Sequence, residues 1–517
     1  MLITNTNFVE NLPLIKNAVS SADAIAIDFE FSGSLKRHTH NPFDSVSERF
    51  SKEVDNLDPS CIFELGICCL SVQPDQSIQL TPFDMYVFQQ YSKHLKNDQF
   101  LQFSTATLAF LQEHGLDLQK WTQEGVSFLT PQQEESLRST LVKKVREKKR
   151  EPSLFNSTDA QFVEELKQKL IKLANDDSQE VLSFENLSPF HRFLVHNTVS
   201  SCYPHWRTAT EDKNLLVYKL DANEAEQYDA RMEESRNNQI NSLVGVRLIF
   251  DLISRYKKPL VIHGGLADLL LICKVFYGIN SPDLDTFKKF IHSNFPIVYD
   301  TAFIAQSLGI FPRLSLSEVF KKSCTLNDGY RFSIDGIHGF TSLINVVNGD
   351  SSDFVMLNLH RPDTDALLAV VSCFILSKVF ENKFDTFKNF IYCHKLLSKM
   401  NVGGDDIVVN KDDVFGLRSR SFMNIADVRT ALKEHLCCDV EVYHFFRSDF
   451  IFIVEDPQVY KRVCKLVEER AQLTDDIQFT SLNGLDSFDQ AAGTKRLSSV
   501  SEGEQSTVPR QTGCFLM

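Results

Sequence analysis

No apolar run in the 517-residue sequence is long enough to span a bilayer as a helix, and the longest, Ala366 to Leu376, reads as a buried helix. The opening Met1-Leu-Ile-Thr-Asn-Thr-Asn lacks a basic segment followed by an apolar one, so no secretory signal is expected. C-x-x-C pairs are missing. The twelve cysteines are scattered, with only Cys68-Cys69 and Cys437-Cys438 adjacent, which argues against zinc modules and against a disulfide framework. Reduced thiols in the cytoplasm or nucleus are the default, with the cytoplasm favoured. Positive charge is also short: a net charge of −14 is the wrong sign for a general nucleic-acid binder. Bound metals can nonetheless offset a carboxylate cluster, and local basic patches can still follow a phosphate backbone.

What is present is the composition of a globular chain, 43% hydrophobic and 24% charged with 42 Phe, long enough for two to four domains. One stretch organises the rest. In Ala24-Ile25-Ala26-Ile27-Asp28-Phe29-Glu30-Phe31-Ser32-Gly33 an apolar run acquires two carboxylates and then turns. In a strand, side chains repeat with period two, so Asp28 and Glu30 share one face while Ile27, Phe29 and Phe31 take the other. Like charges held side by side repel unless something positive lies between them. Hard divalent cations are bound by oxygen, and pairs of them clamp the oxygens of a phosphoryl group under attack. Two readings stay open on this stretch alone: a two-metal nuclease, or a strand emerging into solvent.

Along the chain, a helix is predicted over Phe8 to Val19, strands over Ala24 to Phe31, Ile62 to Ser71 and Phe83 to Phe88, and a helix over Phe103 to Gly115. Pro131 to Glu151 is rich in Gln, Glu, Lys and Arg, with little apolar face and a basic end at Lys148-Lys149-Arg150. It reads as an exposed helical arm over 131–156 whose basic end either is solvated or touches RNA phosphates. Residues 157–222 make a small α/β unit with a helix over Gln161 to Leu173 and a strand over Leu215 to Leu220. Arg192 and His196 there, four apart, share a helix face. A polar return helix covers 223–241. Beyond it, strands Pro259 to Ile262 and Ile297 to Thr301, a helix over Leu269 to Phe276 and another over Ala366 to Phe380 resume the α/β pattern to about residue 400. Residues 413–482 read strand, helix, strand, strand, helix, strand, the order of a ferredoxin-like or RNA-recognition fold without its Gly-rich aromatic motif. The tail, 484–517, is Ser, Gly, Gln and Thr rich and reads as disordered. It ends Cys514-Phe515-Leu516-Met517, which fits a farnesylation signal or a chance ending.

Acids recur where strand gives way to helix: Asp28 and Glu30, then Asp268 after His263, then Asp365 after His360. Together with Leu260-Val261-Ile262-His263-Gly264-Gly265-Leu266-Ala267-Asp268, Tyr299-Asp300-Thr301 and His360-Arg361-Pro362-Asp363-Thr364-Asp365-Ala366, this set resembles the His-containing DEDD (DEDDh) exonucleases. Within them it resembles the poly(A)-specific ribonuclease (PARN)-like family of 3′ exoribonucleases, which includes the piRNA-precursor trimmers. The resemblance spans about residues 1–400. It implies an α/β fold: an RNase H-like core with a mixed sheet flanked by helices, split over 1–130 and 242–400, with an inserted Arg-x-x-x-His domain and a C-terminal RRM-like α+β domain. Two departures stand out. Gly264 replaces the Asn that commonly follows the third-motif His, and Pro362-Asp363-Thr364 replaces the more usual Ala-Gly-Tyr. The family's cap-binding Trp has no counterpart, since the only tryptophans are Trp121 and Trp206.

The implied activity is Mg²⁺-dependent 3′-to-5′ hydrolysis of single-stranded RNA with a free 3′-hydroxyl, releasing 5′-mononucleotides. Asp28 would bridge two Mg²⁺ ions, Mn²⁺ being an alternative, with Glu30 and Asp365 on one and Asp268 serving the other. His360 would be the general base. Arg192 and His196 would bind RNA. His263 is expected to shape its turn rather than bind metal, Asp363 to be exposed, and Asp300 to lie beside the site but outside the four-acid set. Poly(A) removal and trimming of a small RNA held by an Argonaute or PIWI protein are both consistent with the family, as are a homodimer and a weak membrane tether through farnesylated Cys514. The alternative class is a noncatalytic RNA-binding adaptor using the Arg-x-x-x-His and RRM-like modules.

Overall fold

The computed structural model describes the chain except residues 34–37, 39, 59, 92–100, 148–156, 177, 212–213, 312, 335–339, 351–360, 422, 447–448, 483–484 and 486–517. His360, the basic end Lys148 to Arg150 and Cys514 therefore lie outside the described residues. Two compact units form: Met1–Gln89, Gln99–Phe128 and Gly245–Met517 make one, and Gln90–Asp98 with Leu129–Val244 the other.

In chain order the strands begin with β1 (Leu2–Ile3), β2 (Ala24–Phe31), β3 (Ile62–Val72) and β4 (Ile78–Tyr86). The second unit holds β5 (Val181–Phe184), β6 (Arg207–Glu211) and β7 (Asn214–Tyr218). The first resumes with β8 (Leu260–Ile262), β9 (Val298–Asp300), β10 (Phe332–Ile334), β11 (Phe390–Ile391) and β12 (Met400–Asn401). It ends with β13 (Val414–Ser419), β14 (Glu441–Phe446), β15 (Asp449–Ile453) and β16 (Ile477–Thr480).

The main sheet runs β1-β4-β3-β2-β8-β9, with β10 sharing the β4 edge. β2, β3 and β4 form an antiparallel meander, whereas β8, β9, β1 and β10 join in parallel, so the fold is mixed α/β. The third strand, expected over Phe83 to Phe88, instead starts at Ile78, because Ile78 and Leu80 pair with Val72 and Leu70 before Pro82 is reached. A proline is tolerated there. β10 covers Ile78 to Leu80 and β1 covers Asp84 to Met85, leaving Pro82 between them, where its missing N–H deprives no partner.

The period-two alternation of β2 divides the core. Ile25, Ile27 and Phe29 face a first cluster built with the helices Phe8–Ser21, Val46–Asn56 and Val246–Tyr256. Phe29, Phe250 and Phe276 meet there, with ring centroids 5.1 to 6.1 Å apart. Ala26 faces the opposite cluster, beside Cys68 and Leu70 of β3 and under the helix Pro362–Val379. That helix is apolar all round and buried along most of its length, which suits an element laid across a sheet and covered again from outside. It begins at Pro362 rather than at the expected Ala366: proline at the first helical position forfeits an N–H that has no partner in any case. Asp365 therefore sits inside the first turn.

The segment after Asn410 folds as β13, helix Ile425–Leu436, β14, β15, helix Pro457–Glu468 and β16, with sheet order β14-β15-β13-β16. The second unit has its own sheet, β5-β7-β6, and its own core of Leu166, Leu170, Phe184, Val195, Val199, Trp206, Leu215 and Val217. In its helix Pro131–Glu147, Leu137 is buried. Among the described residues no helix is long and apolar enough to cross a membrane.

Candidate active site

The face of β2 that begins apolar ends acidic. Ala24 and Ala26 stand opposite Leu70 and Cys68, but Asp28 stands opposite Gly66 and Glu30 opposite Glu64. Over this end of the sheet lies the first turn of Pro362–Val379, and its Asp365 meets the strand acids. Asp28, Glu30 and Asp365 each offer a carboxylate oxygen, all within 4.8 Å of one another.

Gly66 makes the meeting possible. A Cβ on Gly66 would lie 1.9 Å from the carbonyl carbon of Pro362 and 2.2 Å from the Asp363 nitrogen, so the helix backbone rests directly on the strand. A lone glycine inside an apolar strand is the signal that sequence reading passed over.

Asp268 is not one of these three, but it lies near enough for its charge to act on Glu30 and for that of Asp28 to act on it. His263-Gly264-Gly265 turns the chain from β8 into the helix Leu266–Leu271, which continues through a widened turn to Phe276; the predicted helix start at Leu269 is too late, and Asp268 lies within the first turn. A Cβ on Gly265 would sit 2.8 Å from Asp268 Oδ2, so this position too must stay bare. His263 uses both ring nitrogens, Nδ1 with the Thr301 hydroxyl at 2.9 Å and Nε2 with the Leu314 carbonyl at 2.9 Å. Burial drives its pKa down to about 4, so it is a neutral girder of the turn.

Asp300 is wholly buried and structural. Its carboxylate accepts from the backbone N–H groups of Gly264 at 2.8 Å, Ala302 at 3.0 Å and Tyr392 at 2.9 Å, capping the helix Thr301–Leu308 while tying down the turn that carries Asp268. Gly264, where an Asn is usual, has φ +63° and takes its place in this tie through its backbone.

Asp363, expected to be exposed, is instead 2% exposed. The close approach at Gly66 draws it inward, where it accepts from Arg361 at 3.0 Å; the same guanidinium lies 3.5 Å from Asp84 of β4. Glu64, Asp84 and Arg361 thus form a flank to the acid group that sequence reading missed. Glu64 lies two residues from Gly66, in a strand whose one other polar side chain is Ser71.

The electrostatics follow from this crowding. Burial raises the pKa of Asp28, Glu30 and Asp268. For Glu30 the charges of Asp28, Asp365, Glu64 and Asp268 add to the rise, and for Asp268 that of Asp28 does. Burial, and then Asp84, lifts Glu64 to about 8. A hard divalent cation fits this donor set, since closely spaced carboxylate oxygens that resist ionising together are relieved by positive charge among them. In the second unit, His196 Nδ1 bonds the Thr208 hydroxyl and Arg192 Nε donates to the Leu187 carbonyl at 3.2 Å, both side chains half-buried on the helix Pro189–Cys202.

Residues 3–369 match the family described as CAF1 family ribonuclease, and the chain belongs to that family. It is 27% identical over 350 residues to the pre-piRNA 3′-exonuclease trimmer of Bombyx mori, covering 64% of this chain and 62% of that protein. To poly(A)-specific ribonuclease PARN of Homo sapiens it is 25% identical over 350 residues, covering 62% and 55%. The chain thus spans less than two thirds of the length of either relative. Among solved structures, that described as S. pombe Pop2p in its Mg²⁺ and Mn²⁺ bound form is 11% identical and covers 76% of this chain and 98% of its own, with a TM-score of 0.36, a weak geometric likeness.

Replacing Gly66 by Ala should force Pro362 off the strand and carry Asp365 with it. The expected result is a stability loss of about 1–3 kcal/mol and a Mn²⁺ affinity, read by titration calorimetry, weakened about tenfold or more; wild-type values for both would refute the role given to this contact. The pH dependence is a second test. The folded state holds the Glu64 proton up to about pH 8, whereas the ordinary carboxyl value is 4.5, so the folded chain binds more protons between these values and loses stability as pH rises through them. In EDTA, Glu64→Gln should gain in Tm over wild type as pH climbs from about 4.5 to about 8; a constant difference across the range would contradict it.

Proposed function

We propose that the protein is a divalent-metal-dependent 3′-to-5′ exoribonuclease that hydrolyses single-stranded RNA from a free 3′-hydroxyl and releases 5′-mononucleotides. The observation that carries the reading is the convergence of Asp28, Glu30 and Asp365 from distant parts of the chain onto one point, with Asp268 held close enough to raise the carboxyl pKa values there. Membership of a ribonuclease family supports it. Asp28, Glu30 and Asp365 would hold the divalent cation, with Asp268 adding charge beside Asp28. Bound Mg²⁺ or Mn²⁺ supplies stabilisation of the attacking and leaving oxygens. On the family resemblance, His360 would take the proton of the attacking water.

The substrate reading draws on the relatives' names: one is a pre-piRNA trimmer and another a poly(A)-specific ribonuclease. We assign this chain to the same two tasks, deadenylation or 3′ trimming of a small RNA held by an Argonaute-type partner, with Arg192 and His196 of the inserted α/β unit as an RNA contact. We place its action in the cytoplasm or nucleus, the cytoplasm being favoured, and propose self-association as a further property.

Incubation with 5′-labelled oligo(A) tests the chemistry. Wild type with Mg²⁺ or Mn²⁺ should shorten the RNA from its 3′ end, EDTA should stop it, and Asp28→Ala should slow it by about 10³-fold or more. RNA left equally intact by wild type and variant with both metals would favour the noncatalytic adaptor.

A further inference from the structure

Sheets of the βαββαβ order take single-stranded RNA on the face away from their helices, by stacking bases on aromatic side chains. In the C-terminal sheet the two faces can be assigned from the register. Phe415, Leu417, Phe450, Phe452, Ile477 and Phe479 point to the helix side and form one core with Val428, Leu432 and Val463. Val414, Tyr443, Ile451 and Ile453 point to the other. That second face is not open: these residues, with Phe445, share a buried cluster with Leu397 and Leu485, and Phe43, Val409 and Leu482 pack against it. Leu485 lies over the middle of the sheet, its Cδ1 3.1 Å from where a Cβ on Gly416 would be.

Of these covering residues, Leu397 and Val409 belong to a strap that leads to the acid site. Leu397 follows β11, and its N–H donates to the Pro42 carbonyl at 3.1 Å. Lys399 pairs with Glu441 of β14 and exchanges backbone bonds with Ile407 at 2.8 and 3.0 Å. Upstream in the same strap, the Tyr392 N–H donates to Asp300, the carboxylate that also holds Gly264 ahead of Asp268. A second contact leads the same way: Arg429 of the helix Ile425–Leu436 reaches the Ser307 carbonyl at 3.5 Å, at the end of the helix that Asp300 caps.

We propose that the C-terminal βαββαβ unit is an intramolecular brace, its sheet face occupied by the strap around Leu397 and by Leu485, holding that strap against Asp300 instead of stacking RNA bases. The proposal deepens the nuclease reading by giving this unit a positioning role, but its tests need no RNA cleavage, so they stand or fall apart from the Asp28→Ala experiment.

Two measurements on the full chain decide it. Photo-cross-linking of 4-thiouridine-containing single-stranded RNA in EDTA, mapped by mass spectrometry, should give no adducts on Val414–Ser419, Glu441–Phe446 or Asp449–Ile453; adducts at Tyr443, Phe445 or Ile451 would overturn the brace. Hydrogen exchange of Tyr443→Ala should show the peptides carrying Gly264 and Tyr392 exchanging at least about fivefold faster than in wild type, while the peptides of β13 and β15 stay protected. Unchanged exchange at Gly264 and Tyr392 with protected strands would also overturn it. Should Tyr443→Ala unfold the C-terminal unit, Leu397→Ala, which removes the same contact from the strap's side, is read by the same criterion.

Discussion

Carboxylates confined beside one another are the constraint on which this structure turns. Asp268 is buried, Asp28 and Glu30 are half-buried, and Asp365 adds its charge to Glu30, so every one ionised raises the cost of ionising the next. A chain tolerates such an arrangement only where the surrounding structure over-determines it. The surroundings are apolar and extensive: two clusters sandwich the sheet, and Pro362–Val379 is locked between β2, β3 and the outer helices along nearly its whole length. The rigidity of that sandwich keeps the acids from moving apart.

Position within the site is set by backbone contacts more than by side-chain reach. Gly66 sets how closely the first turn of Pro362–Val379 approaches β2, and Gly265 gives the Asp268 carboxylate its room. Asp300 supplies the third control, since one carboxylate fixes the turn before Asp268, the start of the next helix and the strap at Tyr392. Acids in the first turns of the two helices also face the positive ends of their dipoles, which offsets part of the repulsion.

Much of this was legible in the sequence because it rests on local periodicity. The alternation from Ala24 to Phe31 gives the shared face of Asp28 and Glu30 without any tertiary information, and the strand and helix order after Asn410 follows from apolar spacing. What was not legible depends on how elements meet. Asp363 reads as a polar residue beside a proline, and only the contact of Pro362 with Gly66 shows that it must be buried and paired with Arg361. The start of β4 was hidden because Pro82 looks like a boundary until the gap between β10 and β1 is seen. Glu64 sits in a run that reads as a buried apolar strand, so its place beside Glu30 needs the register.

The C-terminal sheet carries the same lesson one level higher. In β15, inside the sheet, the alternation gives two apolar faces, Phe450 and Phe452 against Ile451 and Ile453, and a sheet apolar on both sides must be covered on both. Val414, Ile451 and Ile453 are aliphatic, and the rings beside them, Tyr443 and Phe445, are buried in the same cluster, Tyr443 donating its hydroxyl to Glu441, the residue that pairs with Lys399 of the strap. The chemistry of that face therefore matches a protein partner better than a nucleic acid, and the partner lies in the same chain.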